Sequence, residues 1–291
     1  MRHLPLLMLS VVALAVVGGV AQERDGSHDT APVTPFRIIG GIYYVGMADI
    51  SSFLIATPNG HVLLDSTYEH TVPVVQKGIE SLGFELRDIR IILNSHAHSD
   101  HLGGHKRMKD LTGARVVMSE PDAAVLADGG RSDFQNAENK QLYPALKSDR
   151  VIQDGEEVRL GGVTLVAHLT PGHTKGCTTW TTVVEESGQE YDVVFACGLP
   201  SRGQATPNAK YPGMREDTRK AFATARGVQA DVFLAQHGRA FRFLEKMKRH
   251  QEGATPNPFI DPQGFRAYAE ERERLFLEAL EKQAPERTGL R

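Results

Sequence analysis

Positive charge in excess is missing from this 291-residue chain: 33 Lys and Arg stand against 36 Asp and Glu, for a net charge of -3 and a pI near 6.5. No basic patch dominates, which argues against nucleic acid as a partner. Cysteine is almost absent, with two residues, Cys177 and Cys197. No internal repeat stands out, and no Gly/Pro- or Ser-rich linker divides the chain, so one domain is expected from about 36 to 285. A monomer is expected. Hydrophobic content of 41% and charged content of 24% are ordinary for a chain able to build a large core.

The N-terminus reads as an export signal over residues 1–21. Arg2 supplies the positive start, Leu4 to Val17 is almost wholly apolar, and Gly19-Val20-Ala21 offers small residues for cleavage after Ala21. The rival reading, an uncleaved anchor, needs a longer apolar core and a stop-transfer flank. No cysteine follows the cleavage point, so a lipid anchor is not indicated, and no membrane association is expected after cleavage. The expected location is the periplasm or the medium. Residues 22–35 read as a flexible lead-in.

In an oxidising compartment two cysteines invite a disulfide. Thr178 to Val184 and Tyr191 to Ala196 read as strands around a Ser187-Gly188 turn, a hairpin that brings positions 177 and 197 nearly opposite each other. A disulfide is the favoured reading. Free buried thiols, or Cys197 as a zinc ligand, are the alternatives.

The densest chemistry is Asn94-Ser95-His96-Ala97-His98-Ser99-Asp100-His101, with three histidines and one aspartate in six residues. The apolar run Ile91-Ile92-Leu93 precedes it and Gly103-Gly104 follows. In an extended segment, residues two apart share a side, so His96 and His98 could grip one ion. A turn would then direct Asp100 and His101 to a neighbouring ion. Two more histidines stand where strands are expected to end: His173 in Thr170-Pro171-Gly172-His173, and His237 in Gln236-His237-Gly238. A lone histidine there is more often structural. Beside a compact metal motif, both become ligand candidates.

In order along the chain, short strands are expected at 36–39, 42–45, 52–56 and 62–64, the last ending at Asp65. A helix follows at 71–82, then a buried strand at 89–93 leading into the motif. A helix begins at 103–111, a strand covers 115–118, and a short helix covers 121–127. Residues 128–150 show no periodicity. They lie between ligand-bearing segments and read either as a wall of a substrate cleft or as a surface loop without a role. A hairpin at 157–168, a strand at 231–234 and a long helix at 259–283 complete the reading.

With these six side chains in view, the chain resembles the metallo-β-lactamase superfamily. The residues that carry the resemblance are a strand-terminal aspartate (Asp65), the His-x-His-x-Asp-His loop at 96–101, a glycine-presented histidine (His173) and a distal histidine (His237). It is most similar to class B β-lactamases of the third subclass, through Tyr43-Tyr44-Val45-Gly46, Ser51-Ser52-Phe53-Leu54-Ile55, Gly129-Gly130 with Ser132-Asp133-Phe134, Thr170 to Trp180, Tyr211-Pro212-Gly213 and Asp261-Pro262-Gln263-Gly264-Phe265. Many thioester and lactone hydrolases of this fold carry a metal-bridging aspartate after the strand that here reads Val193 to Leu199. This chain has none there. One departure is Gly198, where the subclass often has a serine that holds a site water. Ser201 is the candidate substitute.

The resemblance implies an α/β fold, an αββα sandwich of two mixed sheets flanked by helices, with the site along one edge. It implies two zinc ions: His96, His98 and His173 hold the first, and Asp100, His101 and His237 the second. The implied reaction is hydrolysis of the β-lactam amide by a metal-bound hydroxide, without an acyl-enzyme. The first zinc polarises the carbonyl. The second takes the substrate carboxylate and the leaving nitrogen, and Asp100 orients the hydroxide. Asp65 is the candidate brace for the ligand loop, an ordinary turn aspartate being the alternative. His105 is expected in a helix's first turn and not as a ligand. The competing functions are a dizinc lactone or thioester hydrolase of the same fold, and a metal-binding secreted protein without catalysis.

Overall fold

The computed structural model describes residues 30–200 and 210–282. The expected signal segment, the first part of the lead-in, Ser201 and residues 283–285 lie outside them. Among the described residues no helix is long and apolar enough to cross a membrane.

Two sheets form the frame. The first runs in sequence order through β1 (Phe36–Ile39), β2 (Ile42–Tyr44), β3 (Phe53–Thr57), β4 (Gly60–Leu64), β5 (Ile89–Leu93), β6 (Arg115–Ser119) and β7 (Arg150–Ile152). It is antiparallel as far as β4 and parallel from β4 to β7. The second has the order β12-β11-β10-β9-β8, with β8 (Glu157–Leu160), β9 (Val163–Leu169), β10 (Thr178–Glu186), β11 (Gln189–Ala196) and β12 (Val232–Ala235). Only the β11–β12 pair in it is parallel.

Strand alternation explains the layering. In β5, Ile91 and Leu93 join the core that also holds Leu165, Trp180 and Phe195 of the second sheet. Ile92 points the other way, and Ile89 joins it because the β4–β5 register shifts between Ile89 and Ile91; both enter a separate core with Val75, Ile79, Met108 and Leu126. Those residues belong to α1 (Val72–Ser81), α3 (His105–Thr112) and α4 (Glu120–Ala127). Phe222 and Phe276 meet at a tilt between α5 (Met214–Gly227) and α7 (Gly264–Glu281), while Phe265 of α7 meets Phe233 of β12. Helices thus cover the outer face of each sheet, as the expected αββα sandwich requires.

Local differences have physical causes. The expected lead-in is docked over its described part: Ala48 N donates to Ala31 O at 2.9 Å and Pro32 bridges Met47. The last helix starts at Gly264, not 259, because Phe259 is already committed to the core and Ile260 bridges Val232. An edge strand, β7, and a helix, α6 (Phe243–Gln251), fall where no element was read.

Candidate metal centre

The motif begins where β5 ends. His98 is still extended (φ -92, ψ 155), and the turn that follows is one turn of helix, α2 (Ser99–Leu102), carrying Asp100 and His101. The switch from extended to helical backbone splits the four side chains into two directions.

Two triangles of donor atoms result. His96 Nε2 lies 3.1 Å from His98 Nδ1 and 3.2 Å from His173 Nε2. His101 Nε2 lies 3.1 Å from Asp100 Oδ2 and 3.4 Å from His237 Nε2, and the third side, His237 Nε2 to Asp100 Oδ2, is 3.5 Å. Tetrahedral zinc with ligands at ~2.05 Å separates its donors by about 3.3 Å, close to all three sides of the second triangle and to the two sides that meet at His96 in the first, whose donor atoms all lie within 4.8 Å of one another. His96 also falls within 4.8 Å of Asp100 and His101, so the two triangles adjoin.

His173 is placed by the turn between β9 and β10. Thr170 N donates to Cys177 O at 2.8 Å, and Gly172 has φ +128, a backbone open to glycine. A Cβ at Gly172 would meet Pro200 at 2.6 Å. The turn is tied to α4 by Asp122, which accepts from Gly176 N at 3.0 Å and from the Thr174 hydroxyl at 3.2 Å. Gly176 carries no side chain because a Cβ would sit 2.5 Å from the Asp122 carboxyl carbon. Burial pushes the Asp122 carboxyl up to about 7. The Cys177–Cys197 disulfide closes the ends of β10 and β11, with Cα atoms 5.9 Å apart. Cys197 is therefore neither a free thiol nor a zinc ligand.

Each imidazole also needs a partner on its other nitrogen. Asp65 is the hub. Its carboxylate meets His101 Nδ1 at 3.0 Å and accepts from Ser95 N at 2.6 Å and Ser95 Oγ at 2.7 Å. Ser95 Oγ in turn lies 3.0 Å from His96 Nδ1. Asp65 adopts φ +62, a conformation disfavoured for a residue with a side chain and held here by both carboxylate oxygens. Asp49, unremarked in the sequence, stands 2.9 Å from His237 Nδ1 and also engages Arg239. His98 Nε2 faces Asp133 Oδ2 at 3.5 Å and Gln135 Nε2 at 3.3 Å. Gln135 also donates to His173 O at 2.9 Å, and Tyr143 Oη to Ala97 O at 3.0 Å. The segment 128–149 therefore holds the ligand loop at several points. A cavity of about 230 Å³, bounded by Ala97, Val125, Asp133, Phe134, Thr174 and Lys175, adjoins this contact.

The charges agree with the geometry. Burial, helped by the neighbouring rings, pushes His96 and His173 well below the ordinary imidazole value, so they are neutral, the form that binds metal. Burial also opposes charge on His101, but Asp100 and Asp65 outweigh it and raise this imidazole to about 10. The carboxyl of Asp100 is held far below its usual range, because the adjacent imidazoles outweigh its burial. A positive charge belongs between Asp100 and Asp65, and a cation can take the proton's place.

His105 starts α3, is fully buried and meets Ser66 Oγ at 2.6 Å, away from both triangles. A Cβ at Gly198 would lie 2.6 Å from Gln236 Nε2 and 3.2 Å from the His173 ring. A serine there would require the Gln236 amide to swing aside.

The family model described as the metallo-beta-lactamase superfamily matches residues 45–185. Among solved structures, FEZ-1 metallo-beta-lactamase from Legionella gormanii is 38% identical with a TM-score of 0.83, covering 89% of this chain and 99% of that one. BJP-1, a subclass B3 metallo-beta-lactamase of Bradyrhizobium japonicum, is 36% identical with a TM-score of 0.82, covering 88% and 97%. The chain spans a third to a half of the length of the curated relatives it matches first. One of them, a hydroxyacylglutathione hydrolase of Pseudomonas putida, is 32% identical over 128 residues, 42% of this chain and 40% of that protein.

Proposed function

This chain belongs to the metallo-beta-lactamase superfamily, and from that premise we propose that it is a zinc β-lactamase of the third subclass, opening the β-lactam amide by hydrolysis without an acyl-enzyme. The observation that carries the reading is the pair of donor triangles, close to zinc's donor spacing and set side by side. The likeness to B3 enzymes over nearly the whole of their chains supports it.

In this reading His96 Nε2, His98 Nδ1 and His173 Nε2 hold one zinc, and Asp100, His101 and His237 the other. When bound, zinc supplies a water of lowered pKa and a positive centre that polarises the lactam carbonyl. The chain's own residues do the rest. Asp65 and Asp49 fix the tautomers and ring planes of His101 and His237. Asp100, held ionised, presents Oδ2 beside His101 Nε2 and His237 Nε2, where it would help hold the second ion and orient a water bound to it. The proposal includes a single catalytic domain over 36–285, a monomer, and export by the segment 1–21. The disulfide fits an oxidising compartment.

The test is hydrolysis of a chromogenic cephalosporin and a carbapenem by the purified chain as isolated, after chelation, and after zinc is returned. Turnover lost with chelator and restored by zinc is the expected result. A zinc-loaded protein that leaves both β-lactams intact while cleaving a glutathione thioester would replace this reading with the thioester hydrolase that the Pseudomonas relative suggests.

A further inference from the structure

The outer nitrogen of His98 has two neighbours of opposite chemistry. Asp133 Oδ2, 3.5 Å away, can only accept. Gln135 Nε2, 3.3 Å away, can only donate. The Gln135 amide is held in that orientation by its second contact, the donation to His173 O at 2.9 Å. Turning it over would place its oxygen against that carbonyl.

His98 can satisfy only one neighbour at a time. Its Nδ1 is the nitrogen that points at His96 Nε2, 3.1 Å away, into the first triangle. With the proton on Nδ1, Nε2 offers a lone pair that Gln135 can use. A metal on Nδ1 needs that lone pair, so the proton must reside on Nε2. Nε2–H then faces an N–H of Gln135, a clash of donors, and Asp133 is the acceptor at hand. Closing by about half an ångström brings it to full hydrogen-bond length.

On the proposed zinc reading, we infer that Asp133 is a positioning residue for the first metal, and that loading this site transfers the outer nitrogen of His98 from Gln135 to Asp133. The proton lost from Nδ1 reappears on Nε2, so His98 changes tautomer without changing charge. The segment 128–149 thereby responds to the metal, although it contributes no ligand.

Asp133→Asn is the sharp variant. Asp133 Oδ1 accepts from Gln135 N at 2.9 Å and shapes the turn, and asparagine keeps that acceptor while placing an amide nitrogen against His98. Zinc affinity, measured by competition with a chromophoric chelator, is expected to fall about 10–100-fold at one of two sites, with unchanged far-ultraviolet circular dichroism. Gln135→Ala removes the partner of the metal-free tautomer, and zinc should bind as well or a few-fold tighter. Nitrogen-15 spectra of the His98 ring should show the proton on Nδ1 without metal and on Nε2 with zinc. Equal zinc affinity in Asp133→Asn and wild type would overturn the inference. So would an equal loss in both variants, which would make the segment a plain wall. A wild-type chain that takes up no zinc would instead remove the zinc reading itself.

Discussion

Single side chains carry the chemistry. His173→Ala opens the first triangle and Asp100→Asn neutralises the second. Each is expected to lower kcat/KM for a cephalosporin by about 100-fold or more while circular dichroism stays that of the wild type. Near wild-type turnover in either would sink the assignment of roles. Asp49→Asn tests a subtler dependence. It leaves the ligands intact but weakens the acceptor at His237 Nδ1, so zinc affinity of the second site should fall about 10–100-fold. The candidate ligands were legible because four lie within six residues and two follow strand ends. Asp65 was legible for the same reason. Asp49 was not, because 188 residues separate it from His237 and they meet through long-range pairing of the 49–51 and 236–239 segments, including the bridge between Ile50 and His237. Ser132-Asp133-Phe134 stood out as a motif, but nothing in a string of letters says which oxygen meets which ring nitrogen.

Elements decide how firmly those side chains are held. The 170–177 turn depends on the buried Asp122, whose carboxyl is pushed up to about 7. Between the ordinary aspartate range and that value, the native state keeps a proton that the unfolded chain has released. Stability must therefore fall as pH rises across this window. Asp122→Asn has no such proton, so the unfolding free energy of wild type relative to the variant should drop by about 1.4 kcal/mol for each pH unit between about 4 and 7. Urea titrations at several pH values measure it, and a difference that stays flat with pH would refute it. The apolar run Ile91-Ile92-Leu93 revealed β5, and the Ser187-Gly188 turn between apolar segments revealed the β10–β11 hairpin. The helix α2 was hidden because its one turn has the composition of a metal loop. The start of α7 was misread because Phe259 is apolar and buried yet precedes the helix. Asn257, accepting from Phe259 N at 3.0 Å, holds that approach in place.

At the scale of the whole molecule, the proposed metal centre would act as a second set of cross-links. The six candidate donors come from the end of β5, from α2, from the β9–β10 turn and from the end of β12, so on the proposed reading zinc would tie the two sheets together at one edge. Zinc bound by the native chain and not by the unfolded one stabilises by about 2.7 kcal/mol at a free concentration one hundred times its dissociation constant. The disulfide, 20 residues in span, contributes about 3 kcal/mol by restricting the unfolded chain. The two are not independent. Cys177 immediately precedes β10 after the His173 turn, and Cys197 adjoins Gly198, which lies against the His173 ring. Removing the disulfide should therefore loosen a zinc ligand as well as the chain. In a Cys177→Ala/Cys197→Ala variant, the rise in melting temperature on adding two equivalents of zinc should be smaller than in wild type, and chelator should narrow the gap between the two proteins. Equal zinc-induced rises, measured by calorimetry on both, would mean that β10 holds His173 in place without the cross-link.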